Sequence, residues 1–182
     1  AQAAHGDAQV VKGLDVPALS DSIVKTIGRH LPSFWSKGNP VDLVGTGDPD
    51  APLVAVEELL KAEDIDAVIS LGIVGRIEYL RLLMRSAKAV DETIPPGFLE
   101  QAETFVREYE EKYIAKTAEL MESYGKPVIG VLLAKTSGGT VRPVAGRRYS
   151  PVFYETPESA VHVLAKMVEY QNFLATQERV PE

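Results

Sequence analysis

The sequence predicts an α/β fold, and three observations point there. Four short apolar runs, at 41–45, 67–71, 127–133 and 152–154, are near-continuous, as expected of parallel strands covered on both faces. They alternate with longer segments whose apolar residues recur at helical spacing. The chain has 182 residues, 45% hydrophobic and 25% charged, which is room for one domain with an ordinary core.

In chain order, residues 1–19 read as a linker or the tail of a preceding domain, and the start at Ala1-Gln2-Ala3 reads as a chain entered part-way. Ser20 is a fitting N-cap for a helix over 20–31 built on Ile23, Val24, Ile27 and Leu31, and Pro32 limits it. Val41-Asp42-Leu43-Val44-Gly45 is the first predicted strand. Leu53, Val54, Val56, Leu59 and Leu60 then mark a helix over 50–62. The second strand, 67–71, lies between Asp66 and Gly72, and a helix over 76–89 carries Ile77, Leu80, Leu83 and Met84 on one face.

Beyond the break at 95–97, Phe98, Ala102, Phe105, Val106, Tyr109, Tyr113, Leu120 and Tyr124 trace one stripe of a long helix that stops at Gly125. The third strand is 127–133. Residues 134–150 read as loop with one short strand at 141–145, and 152–154 is the next strand. Thr156 at the N-cap and Pro157 at N1 open the last helix, with 176–182 as a C-terminal linker to a domain spanning 20–175. The expectation is a flavodoxin-like three-layer sandwich with a mainly parallel sheet of four to five strands, plus a long inserted helix.

Composition narrows the function classes. A net charge of -7 argues against nucleic acid or an anionic membrane as the main partner. There is no cysteine, which excludes thiol catalysis and thiolate metal sites. No apolar run approaches the roughly 20 residues that span a bilayer. The expected location is the cytoplasm.

Ligands in such sheets bind beyond the carboxyl ends of the strands, and two turns sit there. Gly45-Thr46-Gly47-Asp48-Pro49 leads into a helix whose first amides and positive dipole end suit an anion. Gly72-Ile73-Val74-Gly75-Arg76 has the same layout and adds a guanidinium. Asp48 caps well but repels a phosphate. Both turns also read as ordinary strand-to-helix connections, and neither carries the Gly-Lys-Ser/Thr of a nucleotide loop. His5, His30 and His162 have no partner at metal-ligand spacing, and each reads as structural or surface. Glu108, Glu110 and Glu111 read as a solvated helix face, and Arg147-Arg148 as a surface loop able to meet an anion. Residue chemistry alone picks out no catalytic centre and no metal site.

Several segments together resemble a known family. Gly13-Leu14-Asp15-Val16-Pro17-Ala18-Leu19-Ser20, Gly38-Asn39-Pro40-Val41-Asp42-Leu43-Val44-Gly45 and Asp66-Ala67-Val68-Ile69 are similar to the NDP-forming acyl-CoA synthetases, kin of succinyl-CoA synthetase. Lys126-Pro127-Val128 and the run Pro151 to Val161 fit the end of the same domain, the second flavodoxin-like ligase domain. Gly72-Ile73-Val74-Gly75-Arg76 resembles that domain's glycine turn.

The resemblance implies an acid–CoA ligase that uses CoA and ATP or ADP with Mg in other domains. It implies partners too: a CoA-binding domain, a phosphohistidine domain and an ATP-grasp module, with homo-oligomerisation open. None of those modules is in these 182 residues, and no histidine here matches the phosphohistidine motif. The role implied for this domain is to help hold the phosphoryl group at Gly45, Thr46 and Gly47, with Gly72, Ile73, Gly75 and Arg76 as the neighbouring turn. Phosphate is then held by backbone dipoles, without proton transfer. Two departures from the family are the long 98–124 helix and the absence of a helix within 134–150. The alternative is a non-catalytic interaction or regulatory domain of the same fold. A flavodoxin or response-regulator relative fits less well, because the hydroxyls for a flavin phosphate and the acidic strand ends are missing.

Overall fold

The computed structural model describes residues 10–11, 13–91, 93–95, 97–135 and 140–177. His5, the Gly138-Gly139 pair and residues 178–182 lie outside them. The chain is mixed α/β. Strands β1 (Val10–Val11) and β2 (Leu14–Asp15) form a small antiparallel hairpin in what reads as linker, with Gly13 at φ +79° in its turn. Helices α1 (Asp21–Ile27) and α2 (Ala51–Lys61) follow. Next come β3 (Val68–Leu71), α3 (Arg76–Val90), α4 (Phe98–Tyr124), β4 (Val128–Val131), β5 (Val152–Tyr154) and α5 (Pro157–Gln177).

The main sheet has three strands in the order β3-β4-β5, all parallel, with Ser70 opposite Gly130 and Gly130 opposite Phe153. This corrects the expected four to five. Residues 41–45 are not a strand: Val44 and Gly45 both have positive φ, at +47° and +64°, and the Val44 amide donates to the Asp42 carboxylate at 2.8 Å. Their apolar side chains are partly buried by another route. Val41, Leu43 and Val44 pack on Ile23, Ile27 and Trp35, and Leu43 also meets the cluster of Ile73, Val74, Tyr113 and Phe153. The apolar run was real, but it fills a core as a loop. The short strand expected at 141–145 is a single antiparallel bridge from Val141 to Val152.

Alternation along the strands splits the core between the two faces of the sheet. Val68 and Val128 face α2 and α4, packing with Val56, Leu60, Leu120 and Met121. Ile69, Ile129, Val131 and Tyr154 face α5 through Ala160 and Leu164. On the α4 side Ser70 Oγ and the buried Tyr113 hydroxyl lie 2.6 Å apart, tying β3 to the helix. The Phe153 ring lies across Gly130, where a Cβ would fall 2.1 Å from Cδ1. No helix among the described residues is long and apolar enough to cross a membrane.

Two helices depart from expectation. α1 ends at Gly28 rather than 31, and the Trp35 indole packs where a Gly28 Cβ would stand, 3.3 Å from Nε1. In α4 the predicted stripe divides. Tyr113, Leu120 and Met121 are in the core, whereas Phe98 and Phe105 are exposed, Phe105 by 67%. The first half of α4 meets α3, through the bidentate Arg81–Glu103 pair at 2.9 and 2.8 Å.

Candidate functional site: two glycine turns joined by Tyr109

Tyr109 on α4 touches both predicted turns. Its hydroxyl donates to the Pro49 carbonyl at 3.2 Å, and the Arg76 guanidinium sits 5.5 Å from its ring centroid. A cation over a tyrosine face is held by the ring quadrupole. The turns at 45–49 and 72–76, separated by 22 residues of helix and strand, are therefore neighbours in space. Burial pushes the Tyr109 hydroxyl above its ordinary pKa. The Arg76 charge opposes that, and the carboxylates of Asp50 and Asp48 add to it.

The two turns differ in what their glycines do. Gly75, at φ +94°, is the N-cap of α3, and a Cβ there would lie 2.6 Å from the Ala134 carbonyl oxygen. Close packing against 133–134, sealed by the Leu133 amide donating to Val74 at 2.8 Å, accounts for it. Gly45 and Gly47 are different. Apart from their own chain neighbours, no atom of the described residues lies within 4 Å of a Cβ built on either, and Gly47 has no positive φ to require glycine. Their backbone faces open space.

The rest of the first turn is tied down by its own side chains. The Thr46 hydroxyl donates to the His30 carbonyl at 3.1 Å and accepts from the Asp48 amide at 3.2 Å. The Asp48 carboxylate accepts from the Asp50 amide at 2.9 Å and meets His30 Nδ1 at 2.6 Å. Those contacts, the His30 hydrogen bond foremost, hold the Asp48 carboxyl below the usual range. His30, which the sequence reads as structural or surface, is structural: it is the strut between the end of the α1 segment and the start of α2.

Glu110 corrects another expectation. It is only 8% exposed, and its carboxylate accepts from the Arg76 amide at 2.7 Å, capping α3 from a different helix. Spacing alone had placed it on a solvated face with Glu108 and Glu111. The correction arises because α4 turns this one residue toward the first amide of α3, where a negative charge is favoured. Both helix starts therefore already meet a carboxylate, α3 from Glu110 and α2 from Asp48. Arg76 donates Nε to Gly72 O at 3.3 Å, and among the described residues no carboxylate lies within 4 Å of its guanidinium. Ile73 is a core residue of this turn.

Arg147 is engaged elsewhere, pairing with Glu119 at 3.1 Å and Glu122 at 3.4 Å, while the Arg148 amide donates to Glu122. These bonds fasten the loop to α4. Among the described residues there is no cluster of three or more histidine, aspartate or glutamate side chains able to hold a metal. Comparison of the chain with known families, curated proteins and solved structures gives no match.

Proposed function

We propose that this chain is the second, flavodoxin-like ligase domain of an NDP-forming acyl-CoA synthetase, and that its 45–47 turn holds the phosphoryl group of a phosphohistidine carried by another domain. The observation that carries this reading is the open backbone at Gly45 and Gly47. At Gly45 the φ of +64° accounts for glycine, whereas at Gly47 neither packing nor φ demands it, so the backbone there has room for a close-lying anion. Arg76 stands across Tyr109 with a guanidinium that no neighbouring carboxylate neutralises, so it supplies the charge that the amides of Gly45 and Gly47 lack. The domain binds and orients the anion and moves no proton. In this reading CoA, ATP or ADP and Mg belong to the CoA-binding, phosphohistidine and ATP-grasp partners, and the enzyme is an acid–CoA ligase of the cytoplasm.

The experiment is reconstitution. Phosphoryl transfer by the complementary ligase domains is measured with this chain absent, present, and carrying Gly47→Asp. Restoration by the natural chain and failure by the variant support the reading. Equal rates in all three sink it.

One observation favours a second reading, a non-catalytic interaction domain. Asp48 and Glu110 already place carboxylates at the starts of α2 and α3, where a phosphoryl group would otherwise sit. On that reading the turns are finished structural joints, and reconstitution shows no dependence on Gly47.

A further inference from the structure

The second half of α5 stands clear of the domain. Its buried residues are Ala160 and Ala165, and none of 166–177 is buried. That is 12 residues, about 18 Å of helix at 1.5 Å per residue, of which Leu174 is part-buried and the rest are exposed. Isolated helices of roughly 12–15 residues are marginal in water. This one is also apolar: Met167, Val168, Tyr170 and Phe173 are all exposed. Lys166 and Glu169 are the only charged residues in 166–177, and they pair with each other at 2.6 Å.

The apolar residues are spaced for a partner helix. Val163, Met167, Tyr170 and Leu174 follow a four-three-four step, the a/d seam of a coiled coil. With Met167 and Leu174 at a and Val163 and Tyr170 at d, an antiparallel copy sets Met167 against the partner's Tyr170 and Val163 against the partner's Leu174, each twice about a twofold axis. The flanking positions agree. Lys166 falls beside the partner's Phe173, a cation beside a ring, and Leu164 beside the partner's Gln171. Glu169 points away from the seam, so no like charges oppose one another, although the whole chain carries -7.

We infer that the second half of α5 is a homodimer interface, closed by antiparallel packing with the same helix of a second copy. Antiparallel order keeps the two domains at opposite ends of the seam. Tyr170 is 63% exposed, Phe173 56% and Met167 46%. Aromatic side chains of about 150–250 Å² then leave on the order of 100 Å² each in water. Adding the aliphatic residues, the pair buries roughly 1,000 Å² in total, the lower bound of specific interfaces. A weak, concentration-dependent dimer is expected at that size, the area itself setting no affinity. It is independent of whether the 45–47 turn binds a phosphoryl group.

The test is sedimentation velocity of the 182-residue chain over roughly 1–200 µM, which brackets a micromolar Kd. The mass is expected to rise from 19.8 kDa toward twice that value. Tyr170→Glu, an exposed position whose change leaves the core alone, is expected to keep the chain monomeric throughout, with an unchanged far-UV spectrum. Phe105→Glu, an equally exposed aromatic on α4, is expected to leave the dimer intact. A chain monomeric at all concentrations overturns the inference, as does a dimer indifferent to Tyr170→Glu or one abolished by Phe105→Glu.

Discussion

The Glu110 carboxylate accepts the backbone amide of Arg76 at 2.7 Å, so one residue of α4 fixes the first turn of α3. Because Glu110 meets the amide of Arg76 and not its guanidinium, the guanidinium is held by the Gly72 carbonyl and the Tyr109 ring.

Removing that cap tests its structural weight. Glu110→Ala is expected to destabilise the chain by about 1–2 kcal/mol, the usual range for a lost N-terminal cap. Glu110→Gln keeps an acceptor oxygen and is expected to lose less. Urea unfolding midpoints of the three proteins check the order.

The glycines of the two turns are expected to part company. Gly75→Ala forces a Cβ to 2.6 Å from Ala134 O at φ +94°, and the left-handed conformation alone costs roughly 1–2 kcal/mol. Gly47→Ala meets open space and is expected to leave the unfolding midpoint within about 0.5 kcal/mol of the natural chain, as for surface changes generally. Equal losses at both positions would remove the distinction on which the site rests.

The Asp48 carboxyl is held below its ordinary pKa, chiefly by the His30 hydrogen bond. A carboxyl depressed on folding adds stability above its unfolded pKa, near 4, and loses it as pH falls through the folded value. Stability is therefore expected to decline below about pH 4, and Asp48→Asn to show a shallower decline in that window. Unfolding midpoints from pH 5 to pH 2 check this.

Gly130 and Phe153 form a matched pair across β4 and β5. Gly130→Ala places a Cβ 2.1 Å from the Phe153 ring, an overpacking expected to cost about 1–3 kcal/mol. Phe153→Leu in the same chain is expected to recover part of that loss, and a double-mutant cycle reads the coupling.

Much of the element order was legible in the sequence because the signals were local. Pro157 after Thr156, the αL Gly125 and the β-branched runs at 68–71 and 128–131 need no distant partner to be recognised. The failures came where tertiary contacts decide. Val41, Leu43 and Val44 have strand-like chemistry, yet a positive φ at Val44 and Gly45 turns them into loop and packs them, partly buried, on the α1 cluster, with Leu43 also meeting that of Phe153. Phe98 and Phe105 keep the helical period but stay exposed. Of the site, the 72–76 turn was visible from strand and helix order, whereas the 45–49 turn was reached through an expected strand at 41–45 that is a loop, so it does not stand at the end of a strand. The meeting of the two turns through Tyr109 was not visible, nor were the Glu110 cap and the His30–Asp48 strut, since each joins residues 18 or more apart along the chain.

The most direct test of the central claim is an amide-resolved NMR titration of the 182-residue chain with 3-phosphohistidine, using histidine as the control. A phosphoryl site at the 45–47 turn gives saturable shifts of the Gly45, Thr46 and Gly47 amides and of Arg76, absent with histidine. Shifts confined to other segments, or none at all, would contradict the assignment of the 45–47 turn as a phosphoryl site.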